Sequence, residues 1–256
     1  MKKTWVRRLL LLIVIMIVWE LLYMCKVFPE LLFPSLIDIL SSIYKAIMKE
    51  NLFGKTINSL TLLIKGFGLG ISLASLLSMI AMANAFCKEI VEDIVLIAHP
   101  IPGIAIFPIC ILWFGIGEGS IVFIVIHSVV WTLTLNMTLG FNSIPRIYKE
   151  IGKSMGLNRF YMIKDIYIPG AFIHILTGIK IGWSRAWRVV ISAELVFGVM
   201  GVNSGLGWFI LYKRNLLDIS GMFAVIVVIV VIGIVVEDFL FVRLENATVK
   251  KWGLLR

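Results

Sequence analysis

The chain has 256 residues, 60% of them hydrophobic and only 15% charged, with a formal net charge of +9. At a mean hydropathy of +1.02 it holds too little polar surface to clothe a water-soluble globule. A water-soluble protein is therefore excluded and an all-α polytopic membrane protein is expected, while the basic residues, dispersed over loops instead of gathered on one face, suit nucleic-acid binding poorly.

The N-terminal MKKTWVRR precedes an apolar run from Leu9 to Met24 with no small-residue cleavage site and a bulky end. That pattern reads as an uncleaved first span, not a signal peptide. A hydrocarbon core about 30 Å thick needs roughly 20 apolar residues per helix. Six stretches qualify, near residues 8–25, 58–84, 93–114, 119–140, 170–199 and 220–242. Runs this long and continuous do not suit barrel strands.

Between the first two spans, Pro34-Ser35 opens a stripe of Leu36, Ile39, Leu40, Ile43 and Ile47. Ser35 suits an N-cap, and the stripe predicts an amphipathic helix lying on the membrane face or packed on the bundle. Gly54-Lys55-Thr56 imitates the end of a phosphate loop, but the earlier glycine it needs is missing, so no nucleotide site is expected. Gly66/Gly70 in the second span and Gly178/Gly182 in the fifth have the spacing that lets helix backbones approach.

The third span begins HPIPGIAIFPI. Pro100, Pro102 and Pro108 each remove a backbone donor, so a kinked or broken helix is expected, a candidate lining for a translocation path. The fifth span carries Lys180, Arg185, Arg188 and Glu194, with Trp183 and Trp187 as a packing stripe. Charges at that depth face protein or water, and Arg188 and Glu194, six apart, need partners on other helices. Arg185, Arg188 and Glu194 join the three prolines as pathway candidates. His99, His127 and His174 lie on different segments without metal-ligand spacing, and Cys25, Cys87 and Cys110 suggest neither a metal site nor a disulfide framework. The glycines of GVNSGLGWFI after the fifth span permit a tight turn before a short helix.

Placing the N-terminus inside puts fourteen Lys and Arg residues in the inner segments and six in the outer ones. Both termini and the loop between the fourth and fifth spans are then cytoplasmic. That loop is too long for a simple connection. Pro145 suits a helix start, with Ile147, Ile151 and Met155 at helical spacing and Glu150 one turn before a possible partner, Lys153. Gly156 falls where a C-cap needs positive φ, Asn158 suits the N-cap of a second helix from Arg159 to Tyr167, and Pro169 is read as its end. Gly152 leaves a bare patch on the first helix, suited to close approach by another surface.

The loop resembles the EAA loop of permeases in ATP-binding cassette importers. Glu150, Gly156, Ile166 and Pro169 stand at the spacings of that pattern, whereas Ile151 and Gly152 replace its two alanines and Ile168 its leucine. HPIPGIAIFPICILWFGIGE, IKIGWSRAWRVVISAEL and SGLGWFI resemble segments of the nitrate, sulfonate and taurine subgroup, so the likeness runs over about residues 30–245. It implies six transmembrane helices of type I ABC-importer permease architecture. Residues 1–57 would form the first span plus an outer segment, 58–245 a five-span core with the loop at 145–169, and 246–256 a cytoplasmic tail. It further implies a prokaryotic inner-membrane subunit that works as a homodimer or with a paralogue. Two cytoplasmic ATP-binding subunits would carry ATP and Mg, and an extracytoplasmic binding protein would deliver substrate. This chain is then not an enzyme and binds no cofactor. Glu150, Ile151, Gly152, Gly156, Asn158, Arg159, Ile166 and Pro169 would couple to the ATPase. An ion-gradient-driven secondary transporter is the alternative, but it predicts inverted repeats that the hydropathy does not show. An intramembrane enzyme lacks a Ser/His, Asp/Asp or metal set.

Overall fold

The computed structural model describes residues 2–197 and 204–248, and all regular elements among them are helical. They are α1 (Lys2–Met24), α2 (Leu36–Lys49), α3 (Leu52–Ala81), α4 (Ala85–Ala98), α5 (Phe107–Phe114), α6 (Glu118–Ser143), α7 (Arg146–Ser154) and α8 (Arg159–Tyr161). They continue with α9 (Ile168–Phe197), α10 (Leu206–Asn215), α11 (Ile219–Val235) and α12 (Val242–Ala247). A 3-10 turn, Gly103–Ile106, precedes α5. Wider π turns, Met162–Tyr167 and Val236–Phe241, join α8 to α9 and α11 to α12.

The centre of the bundle is α6, packed along both α3 and α9. The glycines expected at contacts are there. A β-carbon on Gly66 would stand 2.6 Å from Val125 Cβ, and one on Gly178 would stand 2.8 Å from Leu133 Cδ1. Leu63, Ile121, Ile124, Val125, Val129 and Val190 fill the space between these helices with no exposed surface to speak of. Without a hydrophobic drive between helices in lipid, such close packing is what holds them together.

Four helical stretches are long and apolar enough to cross a membrane, and five if α4 and α5 count as one broken span. The sixth expected span is the helix α1, where Arg7 and Arg8 precede the apolar run and Glu20 interrupts it. It touches the rest through few residues. Trp19 stacks on Phe33 and its Nε1 donates to the Pro34 carbonyl at 3.0 Å, while Arg8 pairs with Asp238 at 2.6 Å.

Ser35 caps α2 in a reciprocal box with Asp38, as its sequence suggests. The helix packs on α11, and its buried face centres on Ile39 and Ala46. Leu40 and Ile47, counted in the apolar stripe, are instead exposed on its flank.

At the end of the bundle where α10 lies, three joints fix the turns. Glu194, 3% exposed, accepts Ser59 Oγ at 2.8 Å and the Gly207 N–H at 2.9 Å, and Ser59 Oγ in turn accepts the Leu206 N–H at 2.9 Å. A carboxylate thus caps the positive end of α10. Asn58 Nδ2 donates to the Ser204 carbonyl at 3.2 Å. Lys213, also 3% exposed, bridges Glu50 and Asp218, each at 2.8 Å, tying the α2–α3 turn to the α10–α11 turn. The turn expected at Gly201–Asn203 and most of the tail 246–256 lie outside the described residues.

Candidate functional site

Two regions gather the residues singled out in the sequence. The first is the α7–α8 pair at the opposite end of the bundle, between the long helices α6 and α9. Helix α7 starts after Pro145 and closes at Gly156, whose φ of +71° is the left-handed conformation glycine adopts without steric cost. Asn158 caps the next helix by accepting the Tyr161 N–H at 3.0 Å. The two helices fold on each other: Gly152 is buried, and a β-carbon there would meet Met162 Sδ at 2.6 Å and collide with Ile166.

That contact corrects the reading of Gly152 as a bare patch for another surface; the second helix fills it. Glu150 pairs with Arg146, at 2.8 Å and one turn earlier, in place of Lys153. Arg159 is exposed. Pro169 does not end the second helix. Arg159–Phe197 is a continuous helical stretch, and the π turn before the proline absorbs its missing donor. The Ile168 N–H reaches back five residues to the Ile163 carbonyl, which widens the helix just where an α register would crowd the ring.

The apolar stripe of α7 faces away from the bundle. Ile147, Tyr148, Ile151 (48% exposed) and Met155 (71% exposed) present it, and Phe160 and Tyr161 extend it across the turn. On a polar loop such a patch marks a contact surface.

The second region is the break in the third span. Helix α4 stops at Ala98, and α5 leaves at 85° to it after Pro100, Pro102 and the 3-10 turn. Pro108 lies in the first turn of α5, where no hydrogen bond is lost, so it starts a helix and breaks none. The break opens a cavity of about 410 Å³ lined by Pro100, Pro102, His99, His127, Trp131, Arg185 and Arg188, among others. Arg185 Nη1 stands 3.2 Å from His99 Nε2, which accepts it in the Nδ1–H tautomer. Arg188 Nε donates to the Ser184 carbonyl at 3.1 Å.

Of the pathway candidates, Pro100, Pro102, Arg185 and Arg188 thus converge, whereas Pro108 and Glu194 do not line the cavity. His99 and His127, which sequence spacing left unconnected, belong to it. Their positions at a proline break and one helical turn before Trp131 are the only sequence signal that could have joined them. Among the described residues no group of His, Cys, Asp and Glu could hold a metal ion.

The sequence pattern described as binding-protein-dependent transport system inner membrane component matches residues 66–250. The chain belongs to that family. It is 26% identical to the putative aliphatic sulfonates transport permease of Bacillus subtilis, over 97% of this chain and 88% of the relative. It is also 29% identical to the formylaminopyrimidine transport permease of Halalkalibacterium halodurans, over 87% and 86%. In three dimensions it resembles a chain of the methionine ABC transporter MetNI in inward-facing conformations, with a TM-score of 0.57 and 18% identity, over 83% of this chain and 97% of that one. The fold is therefore the type I ABC-importer permease fold expected from the sequence, and the chain is a transport component of the membrane.

Proposed function

We propose that this chain is the membrane subunit of an ATP-driven importer in a prokaryotic inner membrane. Both termini are cytoplasmic, and the substrate comes from the nitrate, sulfonate or taurine group. A second copy or a paralogue completes the path, an extracytoplasmic binding protein delivers the substrate, and two cytoplasmic subunits bind and hydrolyse ATP with Mg. Lipid covers the apolar outer faces.

The observation that carries this reading is the exposed apolar stripe on a capped helix pair rooted in α6 and α9. A connecting loop gains nothing by displaying Ile147, Ile151 and Met155 to water. A partner groove does, and burying them would contribute roughly 25 cal/mol per Å² of apolar area removed from water. Gly156 and Asn158 fix the angle between the helices, Gly152 lets Ile166 lock them together, and Glu150, salt-bridged to Arg146, and the exposed Arg159 lie on the presented surface. Closure of the ATP-binding subunits would pull on this pair. Because α8 continues through the π turn and Pro169 into α9, the pull reaches the helix that carries Arg185 and Arg188. Two-way access then needs only that the ATPase contacts differ between the two states.

The test is co-purification with the cognate ATP-binding subunit and ATP hydrolysis stimulated by the binding protein, for the native chain and for Gly156→Val and Glu150→Lys. Both variants are expected to lose stimulation. Normal coupling in both would overturn the assignment.

A further inference from the structure

Two guanidinium groups, those of the half-buried Arg185 and the exposed Arg188, line the cavity at the third-span break; Arg188 also borders a second cavity that includes Glu237, yet among the described residues no carboxylate lies within 4.0 Å of either. Their depth makes this costly. Arg188 is nine residues from the end of α9, and His127 nine from the start of α6, which at 1.5 Å per residue is about 14 Å along each helix. A cation so placed needs water or an anion. The neighbouring polar atoms add to the demand. His127 Nδ1 and Trp131 Nε1 are both buried without a hydrogen-bond partner, and Trp131 Nε1 can only donate. The two rings stand edge to face at 5.9 Å, so they hold each other in position.

We propose that His99, His127, Trp131, Arg185 and Arg188 form a binding site for a small oxyanion within the permease chain itself. The proposal rests on the importer reading, narrows its substrate to an oxyanion and adds a place of contact on this chain. A cation would be repelled by the two guanidinium groups. A neutral heterocycle would leave both guanidinium groups without a counter-charge. A planar or tetrahedral oxyanion presents several acceptors at once, and guanidinium groups bind these in pairs of parallel hydrogen bonds. His99, through Nε2, orients Arg185, while the Ser184 carbonyl orients Arg188. A cavity of about 410 Å³ leaves room for the anion together with water or a short organic tail. Proline at positions 100 and 102 keeps the helix open here, so the site cannot close over into an unbroken span.

The experiment uses the full chain in phosphatidylcholine nanodiscs, titrated calorimetrically with sodium nitrate, sulfate and methanesulfonate at an ionic strength held constant with chloride. At least one of the three is expected to bind saturably at one site per chain. Arg185→Gln and Arg188→Gln should each weaken that binding at least tenfold, and Lys149→Gln should leave it unchanged. No saturable binding of any of the three, or equal affinity in native and arginine variants, overturns the proposal. A repeat in nanodiscs containing phosphatidylglycerol should leave the affinity unchanged; abolition of anion binding by that lipid would assign the site to a lipid headgroup and overturn the proposal. Co-purification with the ATP-binding subunit, measured on the same preparations, separates the two readings. Normal ATPase association without anion binding sinks the site alone, whereas anion binding without ATPase association sinks the importer assignment and leaves the site standing.

Discussion

Ser59 and Lys213 are each asked to satisfy more than one partner in a buried place, and each predicts a measurable loss. Ser59 Oγ serves both the Glu194 carboxylate and the Leu206 N–H. Ser59→Ala strips a donor from one and an acceptor from the other, so it is expected to destabilise the protein by about 1–3 kcal/mol. A lower melting temperature in detergent, with faster proteolysis around α10, would report it. Around Lys213 the consequence is a pH dependence. Burial alone would push its ammonium down, but hydrogen bonds to Asp218 and Glu50 carry it above the ordinary lysine range. Burial would likewise push Asp218 up, but the hydrogen bonds from Lys213 and the Gly221 N–H hold it below the ordinary carboxylate range. A carboxyl depressed on folding stabilises above its unfolded value of about 3.9 and loses that contribution as pH falls through its folded value. A lysine raised on folding contributes below about 10.4 and loses it as pH rises through its folded value. The contribution of this ion-pair group to stability, read as the difference in melting temperature between the native chain and a Lys213 variant, should therefore be level near neutrality and fall toward both extremes. In Lys213→Met the melting temperature at neutral pH should be lower and its acid fall shallower, because Asp218 no longer has its ammonium partner.

Among the elements, the α7–α8 pair carries the sharpest expectations. Gly156 has open space around it, so its need is conformational alone. Gly156→Asn, which tolerates the left-handed region, should keep ATPase coupling, whereas Gly156→Val, strained there by roughly 1–2 kcal/mol, should lose it. At Gly152 the constraint is steric, and Gly152→Leu is expected to splay the two helices and uncouple hydrolysis from uptake even where the chain still folds. This pair was also the most legible element in the sequence. Pro145, Gly156 and Asn158 are local signals whose chemistry acts within a turn, and each stands where it was expected. What the sequence hid was non-local. The partner of Glu150 lies one turn back, the filling of Gly152 comes from Met162 and Ile166, and the passage through Pro169 depends on a π turn that no residue announces. The proline-rich third span was readable as a break for the same local reason. The convergence of His99, His127 and Arg185 was not, because three separate helices supply them.

At the scale of the whole molecule, the excess of Lys and Arg in the inner segments is the ground for the proposed orientation, and labelling from the two sides tests it. In a background with Cys25 and Cys87 replaced by alanine, Met155→Cys should react with a membrane-impermeant maleimide only after the cells are opened. Lys49→Cys, exposed at the far end of α2, should react in intact cells. The reverse pattern would invert the topology and remove the cytoplasmic partner from the account. The central claim is that the exposed stripe of α7 docks an ATP-binding subunit, and the most direct test is photocrosslinking in native membranes. A benzophenone amino acid at Met155 is expected to yield one major adduct, with the ATP-binding subunit, while the same group at Phe53, exposed at the opposite end, yields none with it. Absence of that adduct from Met155, or its formation from Phe53, would contradict the account.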